Sequence, residues 1–202
     1  MNAIDKIYEE SFSSEQFANA YFEHLISVLK GISVSEVAAF IDALLKARER
    51  NAAIYFIGNG GSAATASHFA NDIAIGTRSW IKPFRAQSLC DNQAIIMAIA
   101  NDDGYENVFS QQLSVLLNEG DVVVAISASG NSENLLKALD VAHEKNAISI
   151  GLTAFDGGQL RKRAKINVHV PTGKGEYGPA EDAHMILDHL VAAFLSRLVK
   201  RQ

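Results

Sequence analysis

The chain has 202 residues, 48% apolar and 20% charged, which suits one α/β domain with a proper core plus a helical extension. A formal net charge of −5 argues against a nucleic-acid surface, and a single cysteine, Cys90, excludes a disulfide framework or a cysteine-based zinc site. Asp5, Glu9 and Glu10 break up any leader-like stretch and nothing approaches a membrane span, so a soluble cytoplasmic protein is expected, with no membrane partner.

The first fifty residues read as two helices. Ser13-Ser14-Glu15-Gln16 offers a capping box ahead of Phe17, Tyr21, Leu25, Val28 and Leu29, and Ser33-Val34-Ser35-Glu36 does the same for Val37, Phe40, Ile41 and Leu44. These apolar stripes precede any sheet that could receive them. Residues 1–50 are therefore read as a helical extension that mediates oligomerisation, and 51–202 as the ligand-binding domain.

From Ala52 strand and helix patterns alternate. Strands are predicted at 54–57, 84–89, 122–126, 148–152 and 166–170, and helices at 62–75, 92–101, 108–117, 131–145, 158–164 and 180–200. Such alternation implies a doubly wound, five-stranded parallel sheet of the flavodoxin-like kind. Two turns stand out. Gly58-Asn59-Gly60-Gly61-Ser62 closes the first strand, and Ser127-Ala128-Ser129-Gly130-Asn131-Ser132 closes the third. A polar turn between a strand and a helix points N–H groups and the helix dipole at one spot, which suits a phosphate. Ser62 is read as the cap of the first helix. Ser127, Ser129 and Ser132 add three hydroxyls where a cap needs only one.

His68 and Asp72 are four apart on the helix after the first turn, and so share a face. The final helix carries Glu181, His184, Asp188 and His189, with Glu181 and His189 eight apart, or about 80° around the axis. Imidazoles and carboxylates from two helices suit a borderline divalent ion, and equally a general acid and base. The bland alternative is a solvated His–Asp pair. His24, His143 and His169 have no such company and read as structural or solvent-facing.

With these residues in view, the chain resembles the sugar-isomerase (SIS) domain family, in its phosphoheptose isomerase branch. The resemblance rests on Gly58 to Ser62, Ser67-His68-Phe69-Ala70, Ala100-Asn101-Asp102-Asp103-Gly104, Ile126 to Ser132 and the C-terminal helix. It implies an aldose–ketose isomerase, taking sedoheptulose 7-phosphate to a heptose 7-phosphate for surface-polysaccharide precursors. By that resemblance, Ser127, Ala128, Ser129 and Ser132 hold the phosphate. Asn59, Gly60, Gly61, Ser62, Asn101, Asp102 and Glu181 contact the sugar. His68, Asp72, Glu181 and His189 fall at zinc-binding positions, with Asp72 and His189 as the acid–base pair. A homotetramer with sites at subunit interfaces is also implied. Two departures stand out, Asp72 where the family has Glu and Glu181 where it has Gln. The alternative is a non-catalytic relative that binds a sugar phosphate or a protein such as the replication initiator DnaA.

Overall fold

Side chains alternate across a strand, and strands covered on both faces are apolar throughout. The computed structural model, which describes residues 1–201, places five such strands in one sheet. They are β1 (Ala53–Gly58), β2 (Arg85–Ser88), β3 (Val122–Ser127), β4 (Ile148–Thr153) and β5 (Ile166–His169). Their order is β2-β1-β3-β4-β5, and every pairing is parallel. The expected doubly wound architecture is therefore present.

The helices are α1 (Ala3–Glu10), α2 (Ser14–Lys30), α3 (Val34–Glu49), α4 (Gly61–Asn71), α5 (Gln93–Asp102), α6 (Ser110–Leu116), α7 (Glu133–Glu144), α8 (Gly158–Arg163) and α9 (Tyr177–Val199). Ile54, Phe56, Val122, Val124 and Ile126 face a core shared with α3, α4 and α9. Tyr55, Ile57, Val123 and Ala125 face the opposite core, built with α6, α7 and α8. Phe69 of α4 stacks on Phe56 at 5.1 Å between ring centroids and meets Phe40 edge-on at 5.8 Å. That buried anchor turns its neighbour His68 outward, where it is exposed.

β1 leads through α4 to β2 on one side, whereas β3 leads through α7 to β4 on the other. β1 and β3 are direct neighbours, with Gly58 opposite Ile126. Their carboxyl ends thus form the switch point where doubly wound sheets bind ligands.

The N-terminal region departs from the two-helix reading. α1 is an additional helix, opened by Asn2 through a capping box with Asp5. Ile4, Ile7 and Tyr8 share one face, but eight residues with no buried member are too short a pattern to announce a helix. Each later box forms only half as expected. Ser13 and Ser33 accept from Gln16 and Glu36 N–H, but the Gln16 side chain accepts from Phe12 N–H and Glu36 accepts from His169 N–H of β5. α3 is part of the main core, with Phe40 and Leu44 fully enclosed, while α1 and α2 lie further out. Glu176 fastens the outer layer. Its carboxylate accepts from Ala3 N–H at 2.7 Å and pairs with His24 at 3.0 Å. Burial works to raise the Glu176 pKa, but these contacts outweigh it and hold the pKa below the ordinary carboxylate value.

Candidate active site

The first turn is shaped by glycine. Gly60, at φ 54°, is the N-cap of α4, and no side chain caps this helix. The expected cap, Ser62, is instead a buried residue inside the first turn of the helix. The cause is conformational. The chain enters α4 through a left-handed residue, a position open to glycine and strained for serine. A methyl group added at Gly61 would lie 2.2 Å from Glu181 Oε2, so the Glu181 carboxylate rests against the opening turn of α4.

In the second turn the hydroxyls are not equivalent. Ser127 is buried and its Oγ accepts from Gly130 N–H at 3.0 Å. Ser129 accepts from Asn131 N–H at 3.4 Å. Ser132 is the N-cap of α7, yet its side chain makes no capping bond and faces partly into solvent at the helix start. An uncommitted hydroxyl beside open N–H groups is a suitable anion contact.

Three side chains tie the two turns together. Asn59 and Asn134 exchange amide hydrogen bonds, each 2.9 Å, and Tyr105 Oη donates to Asn59 Oδ1 at 2.8 Å. Asn134 and Tyr105 carried no role in the sequence reading, although Asn134, two residues past Ser132, is the kind of small polar group that can brace a turn. Asn101 and Asp102 end α5 and are exposed, with Asn101 donating to Asp102 at 2.7 Å.

α4 and α9 run parallel. Gly61 meets Glu181 near their starts, and seven residues on His68 meets Asp188 and His189. The rise between these levels is about 10 Å. At the lower level His68, Asp72, Asp188 and His189 each offer one ligand atom, all within 4.8 Å of one another. His68 Nε2 is 3.6 Å from Asp72 Oδ2 and 3.9 Å from Asp188 Oδ2, and the two imidazoles meet edge to face at 5.1 Å. Asp72 opens a π-helical turn (Asp72–Gly76), a local widening often found at functional sites. The expected His68, Asp72 and His189 are thus brought together by one chain. Glu181 is not part of this group, and Asp188 is.

Asp188 is fully enclosed, and neither of its oxygens has a hydrogen-bond partner. Burial first, and the neighbouring Asp72 second, push its pKa up to about 7. Two imidazoles and two carboxylates at this separation, one of them an orphaned buried acid, fit a divalent cation. One turn earlier on α9, His184 is also enclosed. Neither ring nitrogen makes a well-formed hydrogen bond, although the Thr153 backbone lies near enough to oppose part of the effect of burial. Burial, aided slightly by His169, pushes its pKa down to about 4, so this imidazole is neutral near pH 7. The remaining histidines are structural, as read: His24 binds Glu176, His143 binds Ser149 and His169 binds Thr153.

Comparison with known proteins agrees with this architecture. The SIS domain family matches residues 20–154. The phosphoheptose isomerase of Geobacter metallireducens is 35% identical over 161 residues, covering 80% of this chain and 84% of that protein. That of Aquifex aeolicus is 30% identical over 200 residues, covering 98% and 97%. The structure of phosphoheptose isomerase GmhA from Neisseria gonorrhoeae superposes with a TM-score of 0.82 at 30% identity, covering 91% of this chain and 98% of that one. The fold is that of a sugar-isomerase domain, and with these relatives the chain is a phosphosugar isomerase. It belongs to the SIS domain family, in the branch of the phosphoheptose isomerases. No helix among the described residues is long and apolar enough to cross a membrane.

Proposed function

We propose that the chain interconverts a ketose and an aldose phosphate, with sedoheptulose 7-phosphate and D-glycero-D-manno-heptose 7-phosphate as the pair. The observation that carries this is the convergence of His68, Asp72 and His189 from two helices of one chain. The phosphate sits at the α7 N-terminus against Ser129 and Ser132, with Ser127 and the Ala128 backbone shaping the turn. Asn59, Gly60, Gly61 and Ser62 border the sugar chain, and Asn101 and Asp102 contact its hydroxyls.

Asp72 removes the proton from C1 of the ketose and returns it to C2, through an enediol. His189 carries the hydroxyl proton from O1 to O2, so no net proton is gained or lost. His68, Asp72 and His189 would hold a divalent ion such as zinc, which supplies Lewis-acid polarisation of the two oxygens. The reaction needs no nucleic acid or membrane, and a cytoplasmic setting suits it.

The serine turn and the His/carboxylate group lie at different levels of the fold, and α5 buries none of its residues despite Ile95 and Met97. Both features support a homotetramer in which neighbouring copies complete each site. No comparison supports a non-catalytic role or a DnaA partner. The test is an isomerisation assay with and without zinc on the wild type, Asp72→Asn and His189→Ala. Turnover confined to the wild type is the expected result, and background rates in all three would remove the catalytic reading.

A further inference from the structure

Two acids on α9 compete for one role, and their positions separate them. Glu181 and Asp188 are seven residues apart, about two helical turns and 10 Å along the axis. Since α4 runs parallel to α9, each acid meets a different level of α4. Glu181 is folded against Gly61, where an added methyl would lie 2.2 Å from its Oε2 and 2.4 Å from its Oε1. Asp188 sits among His68, Asp72 and His189.

Their surroundings differ as much as their positions. Asp188 is completely enclosed, with both oxygens lacking any hydrogen bond. A buried carboxylate left in this state is strongly unfavourable unless a cation or donor meets it. The neighbouring groups within reach are imidazoles and a second acid, so the chemistry that satisfies the whole set at once is a shared divalent cation. Glu181 is half-buried, and it lies at the amide-rich opening of a helix where the dipole already favours a negative charge. It has no comparable need of a metal.

We infer that Asp188 is the fourth metal ligand and that Glu181 is released from the metal to serve the substrate, accepting a hydrogen bond from a sugar hydroxyl beside the Gly60–Gly61 turn. This rests on the isomerase reading for the role of Glu181, but not for the role of Asp188. The assignment accounts for three observations together: the orphaned oxygens of Asp188, the absence of Glu181 from the four-residue group, and its seat against Gly61.

The test uses the full-length protein stripped with a chelator, then titrated with zinc ions alone and followed by calorimetry and thermal melting, without substrate. The variants are Asp188→Asn, which keeps the shape and removes the charge, and Glu181→Ala, which removes both donor oxygens. Asp188→Asn is expected to weaken zinc binding at least 100-fold and abolish the zinc-induced rise in Tm. Its metal-free melt, which checks folding, should remain cooperative. Glu181→Ala is expected to bind zinc within about threefold of wild type while raising the KM for the sugar phosphate. If Glu181→Ala loses zinc, alone or together with Asp188→Asn, the assignment is overturned. Equal zinc binding by Asp188→Asn and wild type overturns it too, as does a wild type that binds no zinc. In these cases turnover of the wild type still decides the isomerase reading separately.

Discussion

Asn59 and Asn134 face each other across the two phosphate-type turns as a reciprocal amide pair, each Nδ2 donating to the other's Oδ1 at 2.9 Å. Tyr105 takes the second acceptor site of Asn59 Oδ1. This leaves Asn59 with a single amide hydrogen for any ligand. Its side chain is chiefly a strut, so in the proposed reaction the groups of the first turn left to meet the sugar are its backbone and its glycines. Asn134 is 2% exposed, so water cannot readily replace a lost partner.

Asn134→Ala should lower stability by roughly 0.5–1.5 kcal/mol, the net worth of the lost amide pair, because the Asn59 amide left behind is only half-buried and keeps its bond from Tyr105. It should also raise the KM for the sugar phosphate more than it lowers kcat, because the turns lose their register while the His/carboxylate group on α4 and α9 is untouched. Urea unfolding and steady-state kinetics on the same preparation check both. A larger effect on kcat than on KM would show that the pair does not position the anion site.

The serines of the second turn should separate by the same logic. Ser127 holds the turn through Gly130 N–H, whereas Ser132 makes no capping bond. Ser132→Ala should leave Tm within about a degree and raise KM about 5- to 10-fold, the worth of one hydrogen bond of roughly 1 kcal/mol. Ser127→Ala should lower Tm as well, by several degrees. Identical behaviour of the two variants would contradict their different positions.

The sequence was most legible where a pattern repeats. Val122 to Ile126 and Ile54 to Ile57 alternate between two cores, and the spacing of His68 and Asp72 does place them on one face. Legibility failed where tertiary partners decide. Asp188 was visible, but the eight-residue spacing of Glu181 and His189 was the stronger local signal. Only the parallel register of α4 and α9 shows which acid meets the histidines. Ser62 was a plausible cap until the left-handed Gly60 took that position. Glu36 was a plausible box partner until β5 offered it an unpaired N–H.

His184 sets a pH dependence with a definite sign. Its folded pKa, about 4, lies below the ordinary 6.5, so the unfolded chain takes up a proton first as the pH falls. The stability that neutral His184 contributes is fully present above pH 6.5 and is lost as the pH drops through 4. Across that window the loss is on the order of a few kcal/mol. Asp188 works in the opposite sense, because its pKa is raised; the comparison must therefore hold it constant. His184→Leu, measured against wild type by urea unfolding of chelator-treated protein at pH 4.5 and 7, should lose stability less steeply with acidification. Parallel curves would mean that His184 is not the acid-sensitive group.

The outer helices carry the last expectation. On α9, Ile186, Leu190 and Phe194 recur every four residues with 37%, 47% and 48% exposure, and on α2 Phe22 and Ile26 are 61% and 51% exposed. Apolar side chains at helical spacing, left uncovered on packed helices, mark a surface that another protein covers. If that cover is further copies of this chain, light scattering should give about four times the 21.8 kDa of one chain. Phe194→Glu and Phe22→Glu place a charge in the contact, five residues from His189 in the first case and on a different helix in the second. Both should shift the particle to a smaller mass and lose turnover while each chain keeps its far-ultraviolet dichroism. A wild-type protein that runs as a fully active monomer would refute the shared-site arrangement.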